Sequence, residues 1–272
     1  MVQDVRHPGD LERHIMRELG FGVAAAGDEM HGSAHVVPAM WAPGTSALRT
    51  SIVAAWADIV AGHIAIGLFD PGVPVTLDLD VHLHQPPVGH DEVRLVARVQ
   101  KSGRSVSVLS IDITDAAEFP IGFAHATFMA APNPSLRMPT VVSDEGLLRP
   151  HPPTLAVPFA ERAGCTRVAD GVASIPLRPD GLNASGTLNG GLLALVVEEA
   201  ALSAAPGSSL SSLSMRYVQP VRVGPAVAEA NVRAGLGNVV VRDGGRQDRL
   251  AVIATTRTFP EAVVQTTTVG SP

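Results

Sequence analysis

The chain has 272 residues, 46% of them hydrophobic and 17% charged, a globular composition with room for one large domain or two of ordinary size. A net charge of −6, with Lys101 as the only lysine, offers no basic stripe for phosphates and excludes nucleic acid as a partner class. Cys165 is the one cysteine, so no intrachain disulfide and no cysteine-based metal centre can form, and a reducing, cytoplasmic setting is expected.

In chain order, Asp4, Arg6, Asp10, Glu12 and Arg13 break up any signal-peptide core, and residues 8–20 suggest a short amphipathic helix. The run Ser51–Phe69 approaches the length of a membrane span. Asp58 and His63 lie near its middle, where a charge would cost several kcal/mol in lipid. It reads as the buried helix of a soluble protein, with no membrane partner.

An internal repeat organises the rest. Trp41–Asp58 matches Gly181–Glu198 at an offset of 140 without a gap, each a polar Gly/Ser-rich loop entering an apolar helix that carries a carboxylate. Leu79–Pro86 then matches Leu213–Pro220 at an offset of 134, both alternating strands ending in Gln-Pro. Paired β-rich runs and Gly turns follow in both halves. The reading is α+β: two tandem repeats, residues 1–132 and 159–272, joined by a Pro-rich linker over 133–158. Each is expected to hold one long central helix wrapped by a curled antiparallel sheet.

Asn189-Gly190-Gly191 stands where the second loop meets its helix. First-turn N–H groups lack intrahelical partners and favour negative charge, including a developing oxyanion. Asp58 and Glu198 occupy equivalent places on the two helices, each a carboxylate in an apolar run that calls for pairing, solvation or a function. Glu198 is about 13 Å along the helix from Asn189, so it cannot serve its own helix's N-terminus. Two antiparallel helices would instead set Asp58 beside Asn189-Gly190, and Glu198 beside Arg49-Thr50.

These residues resemble the hotdog thioesterase superfamily, specifically its PaaI-like branch. The family pattern is an Asn, then His-Gly-Gly six residues on, an Asp nine after the His and an Ala two beyond. Asn183, Asn189-Gly190-Gly191, Glu198 and Ala200 keep that spacing, with Asn in place of His and Glu in place of Asp. The first half keeps Asp58, but has Arg49-Thr50-Ser51 for His-Gly-Gly and Pro43 for the Asn. The resemblance covers residues 22–131 and 167–259 and implies a double hotdog with an acyl-CoA thioesterase site shared between halves. It implies one intact site, from Asp58, Asn183, Asn189 and Gly190, with Gly191 as a substrate contact. Arg49, Thr50 and Glu198 would form a degenerate second site. Asp58 would be general base or nucleophile, and the Gly190 N–H the oxyanion donor. Arg104 and Arg216 are candidate phosphate contacts, no cofactor is implied, and two such chains could associate.

Two rival readings remain. One is a non-catalytic acyl-CoA or lipid-binding protein, motivated by the missing His. The other is a MaoC-like enoyl-CoA hydratase, because Asp58 and His63 have that family's spacing of five; on a helix the two would point about 140° apart. His82 and His84 alternate with Asp78 and Asp80 on a strand and read as an exposed polar face, so no metal site is expected.

Overall fold

A computed structural model of the chain describes residues 14–133, 135–137 and 151–259. Residues 8–13 of the expected N-terminal helix and 138–150 of the expected linker lie outside the described residues. The part of that helix that is described, Ile15–Leu19, is a short 3-10 turn. It buries Ile15, Met16 and Leu19 and stops at Gly20, whose φ of 69° is the left-handed conformation glycine adopts freely.

The first half runs β1 (Gly22–Ala26), β2 (Glu29–His35), α1 (Thr50–Phe69), β3 (Pro74–Leu83), β4 (Glu92–Ser102), β5 (Val106–Asp115) and β6 (Pro120–Ala130). After a one-turn helix α2 (Phe159–Ala163), the second half repeats the order. It has β7 (Thr166–Ala169), β8 (Val172–Ile175), α3 (Gly190–Ser203), β9 (Leu210–Tyr217), β10 (Ala226–Arg233), β11 (Leu236–Asp243) and β12 (Arg249–Thr258).

The expected sheet arrangement is overturned. There are not two curled sheets, each wrapping its own helix. All twelve strands form one continuous sheet in the order β1-β2-β4-β5-β6-β3-β9-β12-β11-β10-β8-β7, with β1 and β7 as its edges. Within its own half, β3 has only β6 as a neighbour and β9 has only β12, so each would leave a row of unpaired backbone groups. The two pair antiparallel instead, Leu79 opposite Met215 and Val81 opposite Leu213.

Alternation along the strands gives this sheet one apolar face: Leu79, Val81, Leu95, Leu109, Ile111, Leu213, Met215, Val239 and Val241 are all buried. Both long helices pack on the strands of their own half and against each other. Helix α3 is buried on nearly every side, which explains why its sequence is apolar all round. Helix α1 is long and apolar enough to cross a membrane, yet its first turns, Thr50–Ala57, are buried in protein.

The loops before the helices correct the gapless repeat. Trp41 bridges Leu48, whereas Leu182 bridges Leu188, so the second loop is one residue shorter. The Ala42 amide donates to Ala47 and the Asn183 amide to Thr187 in the equivalent way. Ala42, rather than Pro43, is therefore the counterpart of Asn183.

Candidate active site

The two helices run antiparallel, and each sets its carboxylate at the other's N-terminus. Glu198 reaches the start of α1. Its carboxylate accepts from the Thr50 amide at 2.9 Å, the Ser51 amide at 3.4 Å, the Ser51 hydroxyl at 2.6 Å and Arg49 Nη1 at 3.2 Å. Arg49 has no side-chain role as helix cap; Glu198 supplies the negative charge that the first turn favours. Arg49 also contacts Glu199 at 2.7 Å, and Glu199 pairs with Arg167 at 2.7 Å. Both glutamates are buried, although two adjacent carboxylates near a helix end suggest exposure in sequence. The Arg49, Thr50, Glu198 end is thus closed by the chain itself.

The other end is built alike but stays open. Asn189 caps α3, its Oδ1 accepting from the Gly191 amide at 2.8 Å. Among the described residues no group accepts from the Gly190 N–H. Asp58 is half-buried on α1 and accepts from the Thr76 hydroxyl at 2.7 Å. The position that a Cβ would take on Gly190 lies 3.4 Å from Asp58 Oδ2 and 3.2 Å from the Tyr217 hydroxyl. Glycine here leaves a small space between a carboxylate, a phenol and a helix N-terminus. Asp58 is one methylene shorter than Glu198, which is why the carboxylate does not plug this end.

Burial pushes the Asp58 carboxyl up to about 6, with the Thr76 hydrogen bond pulling the other way. Burial, and then the Asp58 charge, hold the Tyr217 phenol well above its ordinary value. The Cys165 thiol is pushed up to about 12 by burial, which removes it as a nucleophile.

The remaining sequence candidates are scattered. Asn183 is drawn into its loop: Oδ1 accepts from the Ser185 amide, the Thr187 amide and the Thr187 hydroxyl. At Gly191 an added Cβ would fall 2.4 Å from Met16 and 2.6 Å from Ala55, so this glycine lets the helices pack. Arg216 lies on the face of β9 turned away from the helices, paired with Asp78 at 3.3 Å and Asp80 at 2.8 Å. Arg104 is exposed in the β4–β5 turn. His63 bonds the Ile59 carbonyl of its own helix at 2.8 Å, as a packed helix histidine does. His82, His84 and His125 surround the Phe123 ring, and no set of three metal-ligating side chains occurs among the described residues.

Thr76 and Tyr217 escape a reading of the sequence by motif. A bulge between Thr76 and Asp78 turns Thr76 towards α1. Tyr217 is the only tyrosine, and at the strand offset of 134 it stands where the first half has Leu83. That asymmetry between repeats is the signal that could have found it.

Known proteins bear on this arrangement at two levels. Residues 51–118, from the first turn of α1 into the turn after β5, match the family model described as Thioesterase superfamily. The 12:0-ACP thioesterase from Umbellularia californica superposes with a TM-score of 0.62 at 14% identity, over 88% of this chain and 100% of that one. Over residues 51–118 the chain is similar to the thioesterase superfamily, and as a whole it shares the fold of that structure. An acyl-ACP thioesterase from Bacteroides thetaiotaomicron gives a TM-score of 0.59 at 12% identity, over 88% of this chain and 98% of that one. The tesB protein of Mycobacterium avium subsp. paratuberculosis gives 0.58 at 17% identity, over 93% and 100%. At such identities the likeness is one of fold. No curated protein matches the sequence.

Proposed function

We propose that the chain is an acyl-CoA thioesterase of the PaaI-like kind, hydrolysing its substrate at one composite site between its halves, in a reducing cytoplasm. The observation that carries this reading is the Asp58 carboxylate held beside the N-terminus of α3, where no described group accepts from the Gly190 N–H. A thioester carbonyl at that end would receive the Gly190 N–H, with the helix's positive end behind it. Water adds to the carbonyl carbon and gives a proton to Asp58. The tetrahedral oxyanion then collapses, and the carbon–sulfur bond breaks with its electron pair leaving on sulfur. The products are a carboxylic acid and a thiolate, and Asp58 returns its proton to the thiolate or to water.

Helix α1 offers a path for the acyl chain. Ile59, Gly62 and Ile66 follow Asp58 along a partly buried face, and a Cβ on Gly62 would meet nothing nearer than the Phe128 ring at 4.0 Å. This favours an aliphatic chain.

The test is free-thiol release from a panel of acyl-CoAs, short to long aliphatic and aromatic, with acyl-pantetheine and acyl-carrier-protein thioesters beside them. Turnover of acyl-CoA supports the reading. Binding of CoA esters without turnover of any member would leave a non-catalytic acyl-CoA-binding protein.

The pH profile is a second expected outcome. Asp58 must be ionised to accept the proton, so kcat/KM should rise with pH through about 6 and then level off. An initial-rate series across that interval checks it; a flat profile would remove Asp58 as the base.

A further inference from the structure

A phenol packed into protein, even half-buried, ordinarily finds a hydrogen-bond partner. Tyr217 does not find a good one: its hydroxyl reaches the Gly190 carbonyl at 3.4 Å and Met215 Sδ at 3.7 Å, both long contacts. The same hydroxyl borders the space at Gly190 where Asp58 Oδ2 also lies.

Resting on the thioesterase reading, we propose that Tyr217 is a further catalytic residue. Its O–H would be the second hydrogen-bond donor to the thioester oxyanion, beside the Gly190 N–H. The half-buried phenol stands between β9 and the start of α3, partly screened from water, where a donor is worth more than in bulk solvent. It donates without giving up its proton. A phenol this hard to ionise does not protonate a thiolate, which is the much weaker base, but it can stabilise the alkoxide-like oxygen of the tetrahedral intermediate. The leaving group therefore departs as thiolate, and Tyr217 acts on oxygen alone.

Tyr217→Phe keeps the ring and removes the donor. It should fold with an unchanged thermal midpoint and lower kcat by about 10²-fold, with KM little altered and the pH profile still set by Asp58. A kcat equal to that of the native protein would overturn the proposal while leaving the hydrolase reading intact. Absence of turnover by the native protein on every thioester would sink both.

Because Tyr217 is the only tyrosine, a readout independent of activity is available. Global replacement by 3-fluorotyrosine acidifies this one hydroxyl without touching the fold, and its phenolate absorbance can be titrated directly. The titration should move to lower pH in Asp58→Asn, because the neighbouring negative charge is gone. Coincident titrations would show that the two oxygens do not share one space in solution, and the proposal would fall.

Discussion

Asp58→Asn should lower thioester turnover by about 10³-fold and raise stability at the same time. The first effect follows from the proposed role of the carboxylate as base. The second follows from where it sits. Its folded-state pKa of about 6 lies above the ordinary 3.8, so the folded protein holds this proton more tightly than the unfolded chain does. The contribution of a protonated Asp58 is therefore full below about pH 4 and is lost as pH rises through about 6. At neutral pH the ionised group costs stability, on the order of 1–2 kcal/mol after screening by solvent at its partly exposed side. An amide of the same shape removes that cost and still accepts from Thr76. Denaturation at pH 7 beside thiol-release assays checks the pair of effects. A variant that is both inactive and destabilised would mark Asp58 as a structural group.

Asp58→Glu sharpens the same expectation. One added methylene gives the reach by which Glu198 already occupies the start of α1. At the start of α3 it should bring a carboxylate onto the Gly190 N–H, occupying the proposed oxyanion position with the base still present. The variant should be stable and inactive. Full activity would mean that the open N-terminus of α3 is not where the thioester binds.

The pairing of each carboxylate with the opposite helix was legible in the sequence, because the repeat offset places Asp58 and Glu198 equivalently and helix length forbids either from serving its own N-terminus. Strand order was not, because pairing across the join depends on two open edges, and nothing in Leu79–Pro86 or Leu213–Pro220 names its outer neighbour. Gly191 and Asn183 fit the family spacing, yet packing against Met16 and hydrogen bonding within the loop use them otherwise. Arg216 could be placed by alternation: it shares the outward parity of the strand, and Leu213 and Met215 take the helix side. Thr76 could not, since the bulge that turns it inward breaks the period on which such a reading depends.

Glu198→Ala should be the most destabilising single change, by about 3–5 kcal/mol. The side chain is fully buried, and removing it deprives two backbone amides and the Ser51 hydroxyl of their acceptor. It also leaves Arg49, itself buried, with only Glu199 to balance it, and Glu199 is already shared with Arg167. Glu198→Gln keeps an oxygen for the Thr50 amide and should cost less, the difference measuring the charge. Chemical denaturation of both variants gives the comparison. Hydrolysis per folded molecule should be unchanged in Glu198→Gln, because Glu198 occupies the end of α1 and the proposed site lies at the other end. A large loss of turnover in a well-folded Glu198→Gln would mean that both ends take part in the reaction. The contrast rests on one methylene: of two carboxylates set at equivalent points of an antiparallel pair, the longer satisfies the helix it meets and the shorter leaves the Gly190 N–H without an acceptor among the described residues, where the proposed substrate binds.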